Sequence, residues 1–93
     1  LGGLEVNEET VEVAVDDKTV KVTPIEFKIL LLLIQNPGRV FPAEEIYERV
    51  WNERAVNTDT VMVHILRLRQ KIEDNSAQPE IIRTIYGKGY QVD

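Results

Sequence analysis

The sequence predicts a single α+β domain over residues 1–93, with an N-terminal antiparallel sheet, three helices and a closing β-hairpin. Three observations predict it. Apolar and polar residues alternate through the first 22 positions, the period of a half-buried strand. Three later segments carry apolar residues at helical spacing, each bounded by helix-start or helix-stop residues. Near the C-terminus, β-branched and aromatic residues flank the turn signal Tyr86-Gly87-Lys88-Gly89.

Leu4 and Val6, then Val11, Val13 and Val15, then Val20 and Val22 give three short strands with one face buried, broken at Asn7-Glu8-Glu9 and Asp16-Asp17-Lys18. Thr23-Pro24-Ile25-Glu26 opens the first helix, with Thr23 as N-cap, Pro24 at the first helical position and Glu26 closing a capping box. The helix runs to about Gln35. Phe27, Leu30, Leu31, Leu33 and Ile34 cover so much of its circumference that it belongs at the centre of the core. Asn36-Pro37-Gly38 stops it, Arg39-Val40-Phe41 makes a brief extended link, and Pro42 begins a second helix, Ala43 to Trp51, with Ile46, Val50 and Tyr47 turned inward. After the polar stretch Asn52 to Asn57, Thr58 caps a third helix that runs to about Glu73, where Asp74-Asn75-Ser76 ends it. Ile81 to Ile85 and Tyr90 to Val92 form the hairpin, and no internal repeat or linker interrupts the chain.

Composition excludes several classes. With no cysteine and a single histidine, His64, there is no disulfide framework, no thiolate or histidine metal site, and nothing that asks for a cofactor. The absence of cysteine fits a reducing cytoplasm. The longest apolar run, Ile29 to Ile34, falls far short of the roughly 20 residues that span a bilayer. No signal peptide opens the chain, so no membrane partner is expected. The opening Leu1-Gly2-Gly3 lacks an initiator methionine, and the chain is therefore expected to be a piece of a longer protein with a segment before it. An enzyme is not expected, because there is no glycine-rich GxxxxGK[ST] loop and no second histidine for a catalytic pair. Glu44, Glu45 and Glu48 read as a charged helix face.

The formal net charge of -5 counts against nucleic acid, since affinity for DNA comes largely from Lys and Arg neutralising phosphates. The total conceals an asymmetry. Residues 1–59 hold twelve acidic and six basic side chains, whereas residues 60–93 hold four acidic and five basic ones. A DNA-facing surface belongs in the last third.

On a wheel of about 100° per residue, Val61, Ile65, Leu68 and Ile72 fall in one narrow arc, which is the core face of the third helix. The opposite side presents Thr60, Val63, Arg67 and Gln70. In a major groove Val63 can touch a thymine methyl, and Arg67 can donate two hydrogen bonds to guanine O6 and N7. His64, Arg69 and Lys71 flank that face, where the phosphate walls of a groove would be. A second reading makes Arg67, Arg69 and Lys71 a solvated face, with Arg69 paired to Glu73 one turn on and His64 packed beside the core. In the hairpin, Gly87 and Gly89 permit positive φ in a tight turn that lifts Lys88 toward a phosphate or a minor groove. Here too an ordinary hairpin tip with a solubilising lysine fits, and Thr84 and Tyr86 are open in the same way.

Four segments in order carry a resemblance: Val22 to Leu30, Asn36 to Phe41, Thr60 to Arg69, and Ile81 to Tyr90. Across essentially its whole length the chain resembles the effector domain of bacterial two-component response regulators of the OmpR/PhoB class. The resemblance implies a winged helix-turn-helix that binds DNA to control transcription. In it the third helix reads the major groove, the C-terminal hairpin is a wing in the minor groove, and a fourth N-terminal strand is added to the sheet. Val63 and Arg67 match positions that contact bases. Thr60, His64, Arg69 and Thr84 match positions that contact phosphates, and Tyr86 falls where many members place an Arg. Trp51, Asn52, Glu53 and Arg54 match the loop through which members touch RNA polymerase.

The resemblance also implies partners. An upstream receiver domain, phosphorylated through a sensor kinase in a phosphorelay, would pair two copies on direct-repeat half-sites. Three departures stand out: Asp59 where an Arg is common, Met62 where an Asp is common, and Leu66 where a second basic residue is common. Fewer basic positions predict weaker binding by the isolated domain and a shallower salt dependence. The rival reading is a winged-helix protein-interaction module that uses Met62, Val63 and Leu66 as an apolar patch and has little affinity for DNA.

Overall fold

Strands form where the alternation falls, apart from Val22, which lies past the last of them, and one position inside the alternation. A computed structural model describes residues 3–93; Leu1 and Gly2, which begin the opening that suggests a longer protein, lie outside the described residues. Strands β1 (Leu4–Asn7), β2 (Glu12–Val15) and β3 (Lys18–Val20) form an antiparallel meander in that order. Leu4 faces Val15, and Val13 is paired with Val6 on one side and Val20 on the other. Asp16 and Asp17 join β2 to β3 with φ of 51° and 68°, as a two-residue turn between twisted strands requires. The exception inside the alternation is Val11, expected in the strand but 55% exposed and left-handed at φ 57. Asn7 Oδ1 accepts the N–H groups of Glu9 and Thr10, and the turn so formed runs on through Val11 before β2 begins. The fourth N-terminal strand implied by the family resemblance is not found among the described residues.

Helices α1 (Pro24–Ile34), α2 (Ala43–Trp51) and α3 (Asp59–Ile72) follow. The capping box forms at α1: Thr23 Oγ1 accepts from Glu26 N at 3.2 Å, and Glu26 Oε1 accepts from Thr23 N at 3.0 Å. Ile29, Leu30 and Leu33 are fully buried, and Phe27 nearly so, which puts α1 at the centre of the core. Leu31 and Ile34 are only partly buried, and Ile29 takes a place the wheel did not single out. Ile46 and Val50 of α2 and the α3 stripe Val61, Ile65, Leu68 and Ile72 complete the core as expected, with Phe41, Ile82 and Val92 closing it. At the start of α3, Thr58 holds the N-cap position without a side-chain hydrogen bond. Asn57 does that work instead, its Oδ1 accepting from Asp59 N at 2.9 Å. Among the described residues no helix is long and apolar enough to cross a membrane.

Strands β4 (Arg83–Ile85) and β5 (Gly89–Gln91) make the C-terminal hairpin. It is fastened to the body by a bridge between Phe41 and Tyr90, whose backbone hydrogen bonds run both ways at 2.8 and 2.9 Å. Gly89 makes the bridge possible: at φ +148 it lies against Phe41, and a Cβ there would stand 2.0 Å from the Phe41 carbonyl oxygen. Gly89→Ala is therefore expected to unlatch the hairpin and leave the helices intact. Amide hydrogen exchange should show lost protection at Phe41 and Tyr90 with unchanged protection in α1. Gly87→Ala, where the space is open, should cost only the left-handed strain of about 1–2 kcal/mol.

Candidate nucleic-acid interface

The outer face of α3 is set by its inner one. Burial of Val61, Ile65, Leu68 and Ile72 turns Val63, Leu66, Arg67 and Gln70 to solvent, and all four are exposed. Arg67 has no ion-pair partner among the described residues, so its guanidinium is free to bind a ligand. Thr60 is half-buried on the flank. Its carbonyl oxygen lies 2.7 Å from His64 Nδ1. Because a carbonyl only accepts, that nitrogen carries the hydrogen, and only the protonated ring offers a second N–H at Nε2. His64 also meets Trp51 edge to face at 5.4 Å, and Trp51 in turn stacks on Tyr47 at 4.8 Å.

This aromatic row anchors the loop from Asn52 to Asn57. Asn52 ends α2 in the left-handed conformation, which turns the chain away from the helix axis. Glu53 Oε1 accepts the Tyr47 hydroxyl at 3.0 Å, and this hydrogen bond raises the Tyr47 pKa above its ordinary value. Asn52, Glu53 and Arg54 are exposed and Trp51 is half-buried.

Two expected cations are engaged by partners within the domain, Arg69 buried and Lys71 still exposed. Arg69 is 7% exposed and is spent inside the molecule: its Nε donates to the Ile82 carbonyl at 3.0 Å and an Nη to Thr84 Oγ1 at 2.7 Å. Burial lowers its pKa, while the neighbouring Tyr90 and Glu73 act in the opposite direction. It does not pair with Glu73, whose carboxylate instead accepts the backbone N–H groups of Glu80, Ile81 and Ile82. Lys71 turns toward α1, where its Nζ lies 2.6 Å from Oε1 of Glu26, a carboxylate only 1% exposed. Arg69 is thus neither solvated nor paired with Glu73, while Lys71 stays exposed but is paired with a buried carboxylate. Sequence reading found Glu26 as a cap but missed it as the seat of Lys71, and it missed Glu73 as the clamp of the loop before the hairpin. Separations of 45 residues for the first and seven to nine for the second leave no periodic signal.

The hairpin tip carries Tyr86, 98% exposed, and the exposed Lys88. Gly87 and Gly89 both have positive φ, as the turn was expected to need. Thr84 is exposed, and because its oxygen accepts from Arg69, its own hydroxyl hydrogen remains available to an acceptor. Helix α3 and the hairpin are therefore tied to each other through Arg69 and Thr84.

The family described as transcriptional regulatory protein, C terminal, matches residues 17–92. The chain belongs to that family. It is an effector domain of the OmpR/PhoB response-regulator type, a winged helix-turn-helix whose family regulates transcription rather than catalysing a reaction. The uncharacterized transcriptional regulatory protein YrkP of Bacillus subtilis is 44% identical over 92 residues, which cover 97% of this chain and 40% of that protein. The regulatory protein VanRc of Enterococcus gallinarum is 46% identical over 77 residues, 82% of this chain and 33% of that protein. The chain thus spans well under half the length of these relatives. Among solved structures, the Thermotoga maritima OmpR/PhoB homolog DrrB superposes with a TM-score of 0.91 at 34% identity, over 99% of this chain and 42% of that one. The Klebsiella pneumoniae RstA DNA-binding domain, solved in complex with the RstA box, superposes at 0.89 with 25% identity, over 98% of this chain and 91% of that one.

The placement of Lys71 in the effector domain has a measurable consequence. Lys71→Met leaves the Glu26 carboxylate buried without its counter-charge and is expected to lower the unfolding free energy by about 1–3 kcal/mol, read by urea denaturation. The salt dependence of DNA binding should not change.

Proposed function

We propose that the chain reads double-stranded DNA with α3 in the major groove and the hairpin wing in the minor groove. The observation that carries the proposal is the exposed, unpaired Arg67 beside Val63, on the face of α3 opposite the core. Arg67 would donate to guanine and Val63 would touch a thymine methyl. Thr60, His64 and Thr84 would hold phosphates, with Tyr86 and Lys88 at the minor groove. The complex of RstA with its box supports this use of the fold.

In the whole protein, on this proposal, an upstream receiver domain controlled by a sensor kinase pairs two effector domains on direct-repeat half-sites in the cytoplasm. The half-sites lie roughly one helical turn apart. Pairing raises the effective concentration of each domain at its half-site, so a module with weak affinity of its own suffices. Trp51, Asn52, Glu53 and Arg54 would meet RNA polymerase.

The test is fluorescence anisotropy on duplexes enriched by selection, at several salt concentrations. Besides Arg67, which meets a base, Lys88 at the wing tip is the unpaired cation assigned to DNA among the described residues. The expected slope of log affinity against log salt is therefore shallow, about -1 to -2 for each bound chain. Arg67→Ala should lose about 5- to 150-fold preference for one guanine. If no motif emerges and Arg67→Ala changes nothing, the DNA-reading role is wrong and a protein partner for the apolar side of α3 takes its place.

A further inference from the structure

The two departures in α3 that remove polar character lie together. Met62 and Leu66 are four residues apart, Val63 and Leu66 three, so the three side chains are neighbours on the helix surface. Met62 is 48% exposed, Val63 39% and Leu66 48%. No element among the described residues covers their outer sides. Three half-exposed side chains supply far less apolar surface than the roughly 800 Å² that each partner buries in a stable protein interface. They are, on the other hand, the size of a few methyl groups, and they adjoin the base-reading position of Val63. Along the helix axis the step from Val63 to Leu66 is about 4.5 Å and that from Met62 to Leu66 about 6 Å. Successive bases rise by about 3.4 Å, so a helix laid along the groove would bring the patch within reach of two neighbouring base pairs. The one major-groove feature that an aliphatic side chain recognises is the thymine 5-methyl group.

Charge points the same way. Arg67 is the single unpaired cation of α3, because Arg69 is buried and Lys71 is paired with Glu26, and Asp59 begins the helix with an exposed carboxylate. Phosphate attraction along α3 is therefore weak, and discrimination must come from contacts with the bases themselves.

We propose that Met62 and Leu66 are specificity-determining residues that join Val63 in packing on the methyl groups of consecutive thymines, so that the half-site is a thymine step beside the guanine met by Arg67. The inference rests on the DNA-reading proposal and adds the chemical identity of the bases. Its test replaces thymine by deoxyuridine at single positions of the selected duplex, which deletes one methyl and leaves base pairing intact.

The expected loss is about fourfold for each methyl that the patch covers. Leu66→Ala and Met62→Ala should each bind the thymine and uracil duplexes equally at one of the sensitive positions. Both residues are exposed, so the variants should fold. Leu66→Arg should abolish sensitivity at its position and steepen the salt slope by about 1. The inference is overturned if the selected half-site has no thymine beside the guanine, if the uracil duplexes bind as well as the thymine ones, or if Leu66→Ala and Met62→Ala retain the full sensitivity. If the chain selects no duplex at all, the underlying DNA-reading proposal fails and this inference falls with it.

Discussion

The buried guanidinium of Arg69 ties α3 to the wing, and the use of both on one ligand depends on that tie. A charged side chain 7% exposed is tolerable only with its donors satisfied, and Ile82 and Thr84 supply the acceptors. The arginine in turn fixes where the hairpin begins relative to the helix. Glu73 completes the joint by gathering the N–H groups of Glu80, Ile81 and Ile82, while Gly89 allows Tyr90 to bridge Phe41 on the far side. Helix and wing are therefore positioned from three directions.

An acidic chain can still present a surface to DNA because its charges are segregated. Glu5, Glu8, Glu9, Glu12, Asp16 and Asp17 are exposed on the N-terminal sheet and its turns. Elsewhere many charges cancel locally: Arg39 and Arg49 share Glu45, Arg83 pairs with Asp93, and Lys71 with Glu26. Near α3 and the wing the unpaired Arg54, Arg67 and Lys88 stand against the exposed carboxylates of Glu44, Glu53 and Asp59, a near balance that gives little indiscriminate attraction to a polyanion. On the proposed function, low affinity with base contacts made by apolar side chains would suit a domain paired with a second copy on DNA.

Much of the fold was legible because it is written locally. The spacing of Val61, Ile65, Leu68 and Ile72 named the inner face of α3, and Thr23 and Glu26 named the start of α1. Gly87 and Gly89 marked the wing turn. The site was legible only in part. Arg67 and Val63 followed from the wheel, but Arg69 and Lys71 border the buried stripe, and periodicity cannot tell a flank that faces solvent from one that reaches a neighbouring element. Their partners are Ile82, Thr84 and Glu26, distant in sequence and chosen by tertiary packing. Val11 misled for a related reason: its side chain suits a strand, while the hydrogen bonds made by Asn7 require a turn.

The most direct test of the account is nuclear magnetic resonance of the labelled domain titrated with its selected duplex. The largest amide shifts are expected on Thr60, Val63, His64 and Arg67 and on the wing tip at Tyr86 to Lys88, with the N-terminal sheet unmoved. Shifts concentrated on the sheet or on α1, with α3 and the wing silent, would contradict it.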